Sequence, residues 1–162
     1  MTNMLVTAPT GKTDAQGAVT VQRVFAGIRS QLPAVESFPA YLASHQTSVT
    51  QLAIAYCAAL MNDTTQRNAF FSISQPSDLS GNGWNNLVNP LVSNFLSNSS
   101  LYSASLATPM HDELIEMLTH SAVNTTRKAG LCSSGCGTDA QILNAATITC
   151  SAALANAALT LQ

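Results

Sequence analysis

The sequence predicts an all-α domain, a compact bundle of about five to six helices built around one long central helix. Three observations lead there. Apolar residues recur at spacings of three and four through several stretches, the mark of a helix face. No stretch alternates apolar and polar residues with period two for long enough to make a strand. Capping residues, prolines and glycines fall at the places where those apolar faces begin and end.

The elements follow in order. Met1 to Gly17 is polar and Gly-containing and reads as a flexible N-terminal arm, leaving residues 18–162 as a single helical domain. Val21, Val24, Phe25, Ile28 and Leu32 mark a first helix from Val19 to Gln31, stopped by Pro33. Ser37 can cap the long central helix, residues 38–61, whose seam is Phe38, Leu42, His45, Val49, Leu52, Tyr56 and Leu60. Asp63 or Thr64 caps a short helix carrying Phe70 and Phe71. Ser72 to Asn86 is turn chemistry, with Gly81-Asn-Gly83 and the only tryptophan, Trp84. Leu87, Leu91 and Phe95 mark a fourth helix from Leu87 to Leu96, and Ser97 to Ala107 reads as an Asn/Ser-rich loop anchored by Leu101 and Tyr102. Thr108-Pro109 has the form of a helix start, with Thr as N-cap and Pro in the first position. That fifth helix carries Met110, Leu114, Met117, Leu118 and Ala122. Thr138 or Asp139 opens the C-terminal helix, residues 139–161, expected to pack on the central one.

Size and composition narrow the function. The 162 residues suit one domain that buries roughly 70% of its unfolded surface. Charged residues are 9% of the chain, against about 25% in typical globular proteins. Such scarcity points to a secreted, envelope or assembled protein. The net charge is −2 and the six Lys and Arg are scattered, which excludes the basic patch that nucleic acid requires. No apolar run approaches the ~18 residues of a membrane span. Met1 to Gly17 lacks the basic and apolar regions of a signal peptide, so export implies that a leader or a larger chain precedes it.

Cysteines stand at 57, 132, 136 and 150, a set that permits three pairings. Cys57 and Cys150 fall mid-helix on apolar faces. Cys132 and Cys136 lie in Leu131-Cys-Ser-Ser-Gly-Cys-Gly137, a small-residue loop able to close on itself. The favoured pairing is Cys57–Cys150 with Cys132–Cys136, and four free thiols is the alternative. Alanines support the first bridge: Ala53, Ala55, Ala58 and Ala59 can meet Ala145, Ala146, Ala152, Ala153 and Ala157, and small side chains let helices approach to bridging distance. A zinc site would need better donors than C-x3-C with no nearby histidine.

Few side chains invite chemistry. His45 sits on the apolar seam, where a metal or haem ligand competes with the commoner core histidine bonded to a backbone carbonyl or hydroxyl. His111, Asp112, Glu113, Glu116 and His120 form the densest ionisable cluster, with Glu113, Glu116 and His120 on one narrow face open to a divalent cation. The histidines are nine apart rather than in H-E-x-x-H, so a solvated helix face is the preferred reading. No G-x-S-x-G elbow, phosphate-binding loop or C-x-x-C-H haem motif occurs. The N-x-[ST] triplets at Asn62, Asn98 and Asn124 are expected by chance in so Asn- and Ser-rich a chain. Tyr41, Phe70, Phe71, Trp84 and Tyr102 read as core filling ahead of a ligand pocket.

Two stretches resemble a known module. One is Val35 to Cys57, V-E-S-F-P-A-Y-L-A-S-H-Q-T-S-V-T-Q-L-A-I-A-Y-C, continued by Leu60 to Phe71. The other is Cys150 to Gln162, C-S-A-A-L-A-N-A-A-L-T-L-Q, preceded by the Cys132/Cys136 loop. Together they resemble a helical module of large extracellular proteins of Gram-negative bacteria. Those proteins often contain a laminin-G-like (concanavalin-like) domain, and some a c-type haem segment. The resemblance spans residues 19 to 162 and is most specific in L-A-S-H-Q, Q-L-A-I-x-Y-C and A-A-L-T-L-Q. It implies an extracellular or cell-envelope setting and a structural role beside other domains, with no catalytic residues to transfer. Lacking the haem motif and a laminin-G-like segment, this chain acquires from it neither electron transfer nor glycan binding.

The expectation is a non-enzymatic structural or interaction module of a secreted or cell-surface bacterial protein, without a cofactor. Its partners are other protein domains or copies of itself. Two alternatives differ in kind: a helical carrier for a small apolar ligand, and a metal-binding protein using the 111–120 helix.

Overall fold

A computed structural model of the chain describes residues 21–31, 43–79, 81–96, 104–120, 129–133 and 135–160. These form six α-helices: α1 (Val21–Ile28), α2 (Ala43–Asn62), α3 (Thr64–Phe71), α4 (Trp84–Leu96), α5 (Ala104–Thr119) and α6 (Asp139–Thr160). Short 3-10 turns cover Arg29–Gln31, Pro76–Leu79 and Gly81–Gly83, and no strand occurs among the described residues. The fold is all-α, as the spacing predicts. The expected arm, Pro33, Ser37, residues 38–42, Leu101, Tyr102, Ala122 and Gln162 lie outside the described residues.

The α2–α6 contact dominates the packing, and α4 and α5 close the core beside it. Small side chains make that contact possible. Ala53 and Cys57 of α2 are buried, as are Ala145, Ala146, Thr149, Cys150 and Ala153 of α6. Around them Leu60, Met61, Phe71, Ile73, Leu79, Trp84, Leu87, Leu91, Leu114 and Leu118 fill one continuous core. The buried stripe of α2 runs through Ala53, Cys57, Leu60 and Met61. The expected seam residues His45, Val49, Leu52 and Tyr56 are only half-buried. Beside α6 the buried positions of α2 include the small residues Ala53 and Cys57, with Leu60 and Met61 buried further along, while His45, Val49, Leu52 and Tyr56 lie toward the flank.

α1 packs on α2 alone among the described helices. One neighbour buries one narrow side, so Ile28 is covered while Phe25, expected on the inner face, is exposed.

Local chemistry explains most boundaries. Asp63 Oδ1 accepts from the amides of Thr65 (2.9 Å) and Gln66 (3.1 Å), capping the start of α3. At its end Ser72 takes the left-handed conformation (φ 57°) and donates its amide to Asn68 O. The following turn is held by Asp78, whose carboxylate accepts from the amides of Ser74 and Gln75. A Cβ on Gly83 would overlap the Asp78 carbonyl, so only glycine fits where the turn enters α4. α6 opens with a capping box: Thr138 Oγ1 accepts from Gln141 N (3.3 Å), and Gln141 Oε1 accepts from Gly137 N and Thr138 N. Replacing Asp63 by alanine is expected to destabilise the domain by about 1–2 kcal/mol, with asparagine recovering most of the loss. Urea unfolding with the disulfides intact measures it.

Two helix starts differ from expectation. α4 begins at Trp84 rather than Leu87, because the glycine turn feeds straight into it and Trp84 is buried. α5 begins at Ala104, so Thr108 is not its N-cap, Pro109 stands inside the helix, and residues 104–107 are not loop. Proline there gives up the amide bond to the carbonyl four residues earlier, and its ring crowds that carbonyl, a local cost to the helix. The extra turn is rewarded by Ala107, which packs against the core.

Candidate functional site

Two disulfides organise the molecule. Cys57 and Cys150 join the middles of α2 and α6 with Cα atoms 5.9 Å apart, and both residues are 0% exposed. Cys132 and Cys136 close a local ring with Cα atoms 5.0 Å apart, and both are half-buried. The favoured pairing is therefore the one observed, and no described cysteine is free.

The second ring lies at the end of a strap that runs back along α5. Gly130 N donates to His120 O (2.8 Å), Leu131 N to Met117 O (2.9 Å) and Cys132 N to Leu118 O (2.8 Å). Terminal carbonyls of α5 thus find donors in the strap rather than in water. A Cβ on Gly130 would come within 2.8 Å of His120 N and 2.9 Å of the Leu118 carbonyl, which explains a glycine at this close crossing.

Strap and helix enclose a shallow open groove of about 250 Å³. Glu113, Glu116, Met117 and His120 line one side and Ala129, Gly130 and Leu131 the other. The predicted face of Glu113, Glu116 and His120 therefore does border one groove. His120 Nδ1 lies 3.2 Å from Glu116 Oε1, an i,i+4 pair on a partly exposed face. His111 turns elsewhere: its Nε2 is 3.1 Å from Asn85 Oδ1 of α4 and its Nδ1 is 3.1 Å from Asp112. Among the described residues no three His, Cys, Asp or Glu side chains are grouped to hold a metal ion. The groove mixes two carboxylates and an imidazole with the apolar side chains of Met117, Ala129 and Leu131, a poor match to a purely apolar ligand.

His45 is half-buried on α2 and is not without an interaction partner. Phe71 and Trp84 belong to the core, Phe70 meets Phe71 edge-on with ring centroids 4.5 Å apart, and Tyr41 and Tyr102 lie outside the described residues. Burial pushes the Tyr56 phenol above its usual pKa.

Sequence reasoning missed Arg67. Its guanidinium is buried beneath the end of α2 and donates to Met61 O (2.5 Å), Ser74 O (3.1 Å) and, at 3.4 Å, Ile73 O. The signal was present: Arg67 stands three and four residues before Phe70 and Phe71, on the side of α3 that faces the core. No candidate membrane span occurs among the described helices. Comparison with protein-family models, with curated proteins and with solved structures finds no match to the chain.

Proposed function

We propose that this chain is a non-enzymatic structural or interaction module of a secreted or cell-surface bacterial protein, working beside other protein domains or copies of itself. One observation carries the reading. α2 has no Asp, Glu, Lys or Arg along its whole length, and α6 has none after Asp139. Helices at a protein surface ordinarily place charges on their outer side. Here the outer sides hold Gln, Asn and Thr together with Ile54, 50% exposed, and Ile148, 48% exposed. An uncharged surface with exposed isoleucines suits contact with another protein, because neither partner has charge to desolvate. The two disulfides favour an oxidising setting, in keeping with export.

The test is assembly and binding. Size-exclusion chromatography with light scattering, negative-stain microscopy at rising concentration and binding to envelope fractions are expected to reveal self-association or a bound partner. Changing Ile54→Glu and Ile148→Glu together should abolish it while leaving helical content intact. A monodisperse monomer at every concentration that binds no envelope fraction sinks the proposal.

A further inference from the structure

The two disulfides occupy opposite surroundings. Cys57–Cys150 is sealed in the core, whereas Cys132 and Cys136 are half-buried beside exposed Gly135 and Gly137. Exchange requires an attacking thiolate to reach a sulfur atom, so access decides which bridge reacts. The accessible ring also sits between two helix caps. On one side the strap amides of Gly130, Leu131 and Cys132 close the end of α5; on the other, Gly137 and Thr138 belong to the capping box of α6. Inside the ring Gly135 holds φ +85° and donates its amide to Cys132 O (2.9 Å), and Ser133 N donates to Gly130 O (3.2 Å). The turn that aims the strap at α5 is therefore the turn the disulfide closes.

We propose that Cys132–Cys136 is an exchangeable disulfide, a clasp that a dithiol opens while Cys57–Cys150 stays closed. One thiolate of the dithiol attacks a sulfur of the pair. The Cys132–Cys136 bond breaks, a mixed disulfide forms, and the departing cysteine thiolate takes a proton. The second thiol of the dithiol then displaces the remaining cysteine, which is protonated in turn. The chain gains two electrons and two protons as two thiols, and the dithiol leaves as a disulfide. Without the ring the strap detaches from the end of α5. The groove wall formed by Gly130 and Leu131 then opens beside Glu116 and His120, so the redox state sets the shape of that groove.

The experiment titrates the native full chain with dithiothreitol, traps thiols by rapid alkylation, and maps them by mass spectrometry alongside amide hydrogen exchange. Cys132 and Cys136 are expected to be alkylated together at about tenfold less reductant than Cys57 and Cys150. Exchange at residues 130–132 should accelerate about tenfold or more while the centres of α2 and α6 keep their protection. A Cys132→Ser, Cys136→Ser double variant should show the same exchange without reductant. Four thiols appearing at once, Cys57 and Cys150 opening first, or unchanged protection at 130–132 after the ring opens would each overturn the proposal. Should the variant fail to fold, the wild-type titration decides alone.

Discussion

Replacing Cys57 and Cys150 together by alanine is expected to lower the melting temperature by roughly 8–20 °C, far more than the same change at Cys132 and Cys136. The bridges differ in the chain they close, 93 residues of separation against 4. Loop-closure entropy grows with the logarithm of that length, giving about 4–5 kcal/mol for the long loop and about 2 kcal/mol for the short one. Domains of this size are stable by about 5–15 kcal/mol, so losing the long bridge removes a large share. Packing acts in the same direction. Both cysteines are fully buried in the α2–α6 contact, and two alanines leave a gap there that the surrounding core fills only in part. Calorimetry of the two double variants at matched pH decides the matter. Equal losses from the two would mean that the long bridge staples helices already held by their packing alone.

That bridge was legible for a physical reason. A disulfide between helix centres demands close axes, close axes demand small side chains, and alanines cluster around both Cys57 and Cys150. The caps at Asp63 and Thr138 were legible too, because a capping side chain satisfies amides only a few residues away. The start of α5 was not. The preference of proline for the first helical turn reflects where a missing amide costs least, and a tertiary contact such as that of Ala107 outweighs it. The face of α2 was misplaced for a related reason. Periodicity locates the large apolar residues, whereas the buried stripe of α2 runs through the small Ala53 and Cys57.

The strap, and with it the second wall of the groove, was invisible in the sequence because it rests on no pattern of side chains. The strap binds through backbone amides, which every residue type but proline offers. Gly130 was visible only as one glycine in a small-residue loop, and its crossing over Leu118 and His120 depends on where α5 ends. The acidic face of α5 could be read from spacing, yet spacing says nothing about which segment returns to form the opposite wall.

Arg67 carries the second large expectation. It is 4% exposed, and among the described residues no carboxylate pairs with it. Its charge is met by backbone carbonyls instead: Met61 O in the last turn of α2, where the helix dipole is negative, and Ser74 O and Ile73 O beyond α3. One planar group thus holds the end of one helix against the exit from the next. Arg67→Met keeps the length and removes the donors, leaving buried acceptors without partners at about 1–3 kcal/mol each. Partial rehydration moderates the sum, and a net loss of about 3–5 kcal/mol is expected in urea unfolding. Arg67→Lys should recover only part, because a single ammonium cannot present the guanidinium fork to carbonyls on two separate segments. Amide exchange supplies the specific signature: protection should fall first at the end of α2 and in residues 72–75, before α6 is affected. A loss below about 1 kcal/mol for Arg67→Met would mean that these carbonyls find water as readily as arginine, and that α3 is held by Phe71 and the Asp63 cap instead.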